Sequence, residues 1–235
     1  MRLTIILTFL ALLVSQVCCV AEPVNTVGQA KLHQDGETVT IDSAVVTGPG
    51  ALYIQEDDYS SGIHVSINQN PFDTGDVIRL TGVMQTSSLG VRTIKPSITT
   101  KIGTRAVRPL LVTTSDIAGE SWNCAPGSSA GQIGVKSQSG LSLVGMLVTV
   151  SGVVREVNSQ GWFGLYDGDH YADGKIVSYP PEGKGVCISR PFIVLPKVGD
   201  VVSVTGHCSI MSYAWTYGIV YPRSQSDVQI IQSAP

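Results

Sequence analysis

An eight-residue block occurs twice in the chain. Gly75-Asp76-Val77-Ile78-Arg79-Leu80-Thr81-Gly82 and Gly199-Asp200-Val201-Val202-Ser203-Val204-Thr205-Gly206 share Gly, Asp, Val, Thr and Gly at identical spacing. Around each block the same landmarks come in the same order: residues 39–46 answer to 148–154, 52–57 to 163–168, 62–65 to 185–188, and 90–96 to 215–222. Whatever architecture one unit adopts, the other must adopt too. Each segment alternates apolar and polar residues with period 2 and is bounded by Gly, Pro or Asp, and none carries a 3.6-residue apolar stripe, so each unit reads as five short strands. An open sheet of five strands exposes two edges, whereas closure into a small barrel removes them. Gly152, late in a first strand, and Gly82 and Gly206, late in fourth strands, suit the bends that a barrel corner requires.

The sequence therefore predicts an all-β chain of two tandem five-stranded barrels, residues 28–103 and 141–232, joined by a segment over 104–140. That segment is rich in Ser, Gly and Thr and contains Pro109 and Pro126, but Trp122 and Cys124 within it predict docking against a barrel rather than a free tether. A length of 235 residues accommodates two domains of about a hundred residues each. Only 14% of residues are charged, and 25 Gly and 12 Pro exclude long helices and coiled coils.

Residues 1–21 stand apart from the repeat. Arg2, the apolar run 3–14 and the small-residue end Cys19-Val20-Ala21 follow the order of a secretory signal peptide, with cleavage after Ala21. The apolar core falls short of the roughly 20 residues that a spanning helix needs, so the expectation is export to a secreted, periplasmic or cell-surface location with no membrane insertion after cleavage. Export leaves Cys124, Cys187 and Cys208, an odd number, so at most one intramolecular bridge forms. These cysteines have no CxxC spacing and, with scattered histidines, form no zinc pattern.

Three features carry a resemblance: the strand ends Glu56-Asp57-Asp58 and Asp167-Gly168-Asp169, the following Gly62-Ile63-His64-Val65 and Gly185-Val186-Cys187-Ile188, and the repeated Gly-Asp-Val-x-x-x-Thr-Gly block. With the lead-in over 140–148, the chain resembles tandem OB-fold domains of bacterial secreted proteins, similar to OB modules attached to extracellular nucleases. The resemblance implies barrels that bind chain-like ligands on the face of strands two and three, and it implies no catalytic residue. The segments between third and fourth strands depart from that pattern, being too short and Pro-broken for the helix often found there. A simple hairpin turning near Lys197 would set Cys187 opposite Cys208. The OB strand order places the fifth strand between them, so a Cys187–Cys208 bridge, the expected one, needs them to meet at a barrel end.

The chemistry-bearing residues point to binding. Asp167, Asp169 and Asp173 lie two and four residues apart in a Gly-containing loop, spacing that suits either Ca²⁺ or a solvated turn. His170 lies among them, but no Ser or Cys nucleophile with a paired base is visible, so the chain reads as non-enzymatic. Strand alternation puts Tyr53 and His64 outside barrel one and Tyr166 outside barrel two. Trp215, Tyr217, Ile219 and Tyr221 share one strand face, either filling the barrel or forming a stacking platform. Arg79, Arg92 and Lys95 form a possible basic patch. Net charge is −3, and neither unit is basic, with five Lys/Arg against eight Asp/Glu in 28–103 and six against seven in 141–232. The expected function is an exported binding or adaptor protein, with single-stranded nucleic acid the nominal ligand by fold analogy. The alternatives are an oligosaccharide-binding or protein-binding module and a structural accessory domain pair.

Overall fold

The computed structural model describes residues 24–135, 140–159, 161–168, 185–189, 193–212 and 216–235. The first unit runs β1 (Val24–Asn25), α1 (Val27–Ala30), β2 (Thr38–Val46), β3 (Leu52–Gln55), β4 (Gly62–Val65), β5 (Asp76–Thr86) and β6 (Arg92–Thr104). Its strands are ordered β1-β2-β3-β4-β6-β5, and β5 returns to pair with β2, which closes the barrel. The second unit runs β7 (Leu110–Val112), β8 (Leu147–Asn158), β9 (Trp162–Tyr166), β10 (Val186–Ser189), β11 (Val201–Ser212), β12 (Thr216–Pro222) and β13 (Val228–Gln232). The order β13-β11-β12-β10-β9-β8-β7, with β11 pairing β8, closes it in the same way. Both are OB-like barrels carrying extra strands.

Period-2 alternation fills each interior as the sequence predicts. Ile41, Ile54, Ile63, Ile78, Leu80 and Ile94 meet inside the first barrel, and Val150, Phe163, Leu165, Ile188, Val204 and Val220 inside the second. The repeated Gly-Asp pair is a turn device. Gly75 and Gly199 adopt φ of 95° and 94°, which suits a residue without Cβ. The carboxylates behind them close the turns, Asp76 accepting from the Asp73 N–H (3.1 Å) and Asp200 from the Lys197 N–H (2.8 Å).

Two details differ from expectation. Pro96 does not end the last strand of the first barrel: the pairing slips between Thr81 and Gly82, opposite Pro96, and β6 runs on to Thr104 as an edge beside β5. A register shift is the place where a missing N–H is tolerated. In the second barrel the chain breaks after Pro222, and β13 then occupies the matching edge position beside β11. The Cys187–Cys208 bridge does not form, and both thiols are free and buried. Cys187 faces Ile219 and Cys208 faces Val220, so β12 separates them and the two side chains point to opposite faces of the sheet.

The 104–140 segment is docked. β7 pairs with β8, Ile117 and Ala118 are buried in the second core, and Gly131 donates its N–H to the Lys31 carbonyl (2.7 Å). The barrels also touch directly. Gly62 and Gly145 meet backbone to backbone: a Cβ at Gly62 would stand 2.5 Å from the Gly145 carbonyl oxygen. Beside them the Leu147 N–H donates to Gln55 Oε1 (3.1 Å), and the fully buried Lys31 donates Nζ to the Val144 carbonyl (2.8 Å).

Candidate functional site

Tyr53 on β3 and His64 on β4 are cross-strand partners on the outer face of the first barrel, as their alternation predicts. Tyr53 is nevertheless half-buried. His207 of β11 lies flat on its ring, with centroids 4.1 Å apart and planes 15° apart, and His64 packs on it at 4.9 Å. The His207 Nε2 is 3.0 Å from the Thr47 hydroxyl. Burial raises the Tyr53 hydroxyl to about 12 and lowers His64 below the usual imidazole value. Tyr53 therefore joins the two barrels, its half-buried ring already stacked on His207 and packed against His64.

His64 opens the other way, into a groove of about 510 Å³ over β4, the end of β5 and the start of β6. Ser66, Gln85, Thr86, Ser87 and Thr93 supply its hydroxyl and amide groups, the Asp35 carboxylate, paired with Arg92, stands at its edge, and Val83 and Met84 add apolar floor. Thr86 is already engaged, donating to Asp35 Oδ1 (3.0 Å), and the Ser87 hydroxyl accepts from the Val91 N–H (3.1 Å). The exposed Ser66 and Gln85 side chains make no hydrogen bond among the described residues. The sequence reading missed this groove except for His64. The polar run Gln85-Thr86-Ser87 ending a fourth strand was the available signal.

The proposed basic patch does not assemble. Arg92 is 2% exposed. Its guanidinium is consumed by Asp35, by the His33 carbonyl and by Thr86 Oγ1 (2.8 Å), which makes it a structural tie between the 33–35 loop and β6. Arg79 pairs with Asp42 (3.0 Å) opposite Thr100, whereas the exposed Lys95 lies opposite Val83, farther along β5. Lys101 pairs with Asp76 (2.6 Å), Arg105 with Asp57 and Arg223 with Asp227 (2.8 Å). Among the described residues, Arg79, Arg92, Lys101, Arg105 and Arg223 are thus each matched by a neighbouring carboxylate.

On the second barrel the corresponding face has different chemistry. By register, Cys187 stands where His64 does, and Ile219 where Thr93 does. Trp162, Cys187 and Ile219 pack with Met211, Tyr217 and Tyr221 into a cluster on the outside of the barrel, and the Tyr217 hydroxyl lies 3.0 Å from Met211 Sδ. Tyr217 is therefore outside the barrel but half-buried within this cluster. Tyr166 also faces out, with the Arg155 guanidinium 5.3 Å above its ring. Asp167 accepts from both the Thr114 N–H (2.7 Å) and hydroxyl (2.8 Å), tying the linking segment to the end of β9. Residues 1–21, Asp169, His170, Asp173 and Trp215 lie outside the described residues. No protein-family model matches the chain, and no curated protein matches it.

Proposed function

We propose that the chain is an exported, non-catalytic binding protein whose first barrel takes a neutral, hydroxyl-rich chain, an oligosaccharide, in the groove beside His64. One observation carries the reading: the accessible groove on this OB-like face is lined by hydroxyl, amide and imidazole groups and by the Asp35 carboxylate, with no Lys or Arg among its lining residues, while the arginine that would serve a phosphate, Arg92, is buried and consumed. Neutral donors and acceptors suit sugar hydroxyls, whereas single-strand binders combine stacking with a positive groove. Tyr53, the stacking ring expected on this face, lies under His207.

A second reading, protein docking, is favoured by the edge strands. Ile98 and Ile102 on β6 are 64% and 52% exposed, and Ile230 and Ile231 on β13 are also exposed, at repeat-related edges. Such edges accept an added strand.

Calorimetric titration with a panel of neutral linear oligosaccharides and with a thymidine homopolymer, at low and high salt, tests the groove reading against single-stranded nucleic acid. Sugar binding insensitive to salt is expected, weakened about tenfold when His64→Ala and Gln85→Ala together remove roughly 1–2 kcal/mol of hydrogen bonding. Salt-sensitive binding of the homopolymer, or sugar binding untouched by the double variant, overturns the groove assignment.

A further inference from the structure

The groove beside His64 is bounded on three sides. Its long direction follows the strands, with His64 and Ser66 along β4, Thr93 on β6 and Val83 to Ser87 along the end of β5. Register sets His64 beside Thr93 and Thr93 opposite Gln85, so the floor is three strands wide, about 10 Å at the usual strand spacing.

On the β3 side stands the second barrel. Tyr53 is the cross-strand neighbour of His64, and His207 of the second barrel lies on its ring, 3.0 Å from the Thr47 hydroxyl. At the end where β5 turns into β6, the turn runs into the linking segment and the second barrel. Gln132 Nε2 donates to the Gly90 carbonyl (3.0 Å), and a Cβ at Gly90 would stand 3.4–3.7 Å from the side chains of Ile133, Ile210 and Ser212. On the β5 side lies the 33–36 loop, where the Gly36 N–H donates to the Met84 carbonyl (2.9 Å). The linking segment holds this loop in place: Gln34 Nε2 donates to the Ser128 hydroxyl (2.8 Å), and the Asp35 N–H donates to the Ser129 hydroxyl (2.7 Å). The fourth side, past Ser66 and Val83, leads to the exposed Ser66 and Lys95 side chains.

We infer that this slot takes the end of a neutral sugar chain, its last one or two units, and not an internal stretch. The inference rests on the oligosaccharide reading of the groove and adds where the chain must stop. A chain entering past Ser66 lays its terminal unit over His64, Thr93 and Gln85 and meets Ser87 and the turn behind it. Further units stay outside, in water, and add little. A volume of about 510 Å³ is that of a small-molecule pocket. The second barrel offers no continuation of the floor, because Cys187 and Ile219 stand where His64 and Thr93 do and are buried in its aromatic cluster.

Calorimetric titration of the whole protein with gluco-, xylo- and manno-oligosaccharides of up to about six units, and with a long polymer of whichever sugar binds, tests this. Affinity should rise from the single sugar to the disaccharide and then change by less than about twofold with further length, and a long polymer should take up one protein per chain. Affinity that keeps climbing with every added unit, or several proteins bound along one polymer chain, overturns this inference and leaves the groove reading standing. Absence of binding by every sugar in the series overturns both.

Discussion

Lys31 follows α1 and is 1% exposed, with a single side-chain hydrogen bond, to the Val144 carbonyl across the joint between the barrels. Burial drives its ammonium down from 10.5 to about 7; the Cys208 thiol opposes this, and Arg92 adds to it. At neutral pH the fold therefore carries a penalty of roughly 4–5 kcal/mol relative to the unfolded chain, in which the lysine titrates normally. Lys31→Met keeps the apolar stem and removes the charge, but strands the Val144 carbonyl, at about 1–3 kcal/mol. The net expectation is a gain of about 1–4 kcal/mol at pH 7, or about 2–16 °C in Tm for a chain of this size.

The pH dependence is more diagnostic. Between about 7 and 10.5 the unfolded lysine holds a proton that the folded one has lost, so the penalty is complete below 7 and is relieved as pH rises. Above 9 the buried thiols Cys187 and Cys208, both raised to about 12, act in the opposite direction, so the clean window is pH 7 to 9. Across it the wild-type protein should gain roughly 2–3 kcal/mol and Lys31→Met should stay flat. Urea denaturation of both at pH 7, 8 and 9 measures this. A flat wild-type profile together with a less stable variant at pH 7 refutes the reasoning, because the ammonium would then be well solvated in place.

Two further outcomes rest on local geometry. Gly62→Ala drives a Cβ into the Gly145 backbone and should destabilise by about 2–4 kcal/mol, whereas Gly36→Ala, with open space around it but φ of 90°, should cost only about 1 kcal/mol; chemical denaturation of both reads the contrast. Asp200 is held below the usual carboxylate value by the N–H groups of Ala234 and Lys197, and Asp76 chiefly by Lys101. Their stabilisation is present above the ordinary carboxylate range and is lost as pH falls through the lowered values. Asp200→Asn should therefore lower Tm at pH 7 and approach wild type in strong acid; a gap that persists in acid would assign the effect to shape rather than charge.

The barrels were legible because strands declare themselves locally. The Gly75-Asp76 and Gly199-Asp200 turns need only a positive φ and a short carboxylate, both written in adjacent residues. What escaped reading depends on contacts between distant parts of the chain. Nothing near Tyr53 announces that His207 will cover it. Arg92 opens a strand and looks available from its neighbours; its burial comes from the 33–35 loop folding over it. Lys31 gives no local sign that the second barrel will close above it, although Thr26 and Gln29 spell the capping box that starts the short helix before it. Pro96 pointed to a strand end because a bulge opposite Gly82 is a property of the pair, invisible in either strand alone.

The bare backbone contact between Gly62 and Gly145 also bears on the order in which the two barrels form. All strands of the first barrel precede residue 105, and domains generally fold as units with the N-terminal one first, so the expected order is first barrel, then second. When the 140–147 stretch follows, it meets a finished seat: the exposed Gly62 backbone, the Lys31 ammonium awaiting the Val144 carbonyl, and the Gln55 amide oxygen awaiting the Leu147 N–H. On this reading the first barrel is expected to act as a template for its successor. Released separately, 24–135 should resist limited proteolysis and 140–235 should be digested; equal resistance of the two fragments would show that the second barrel needs no template.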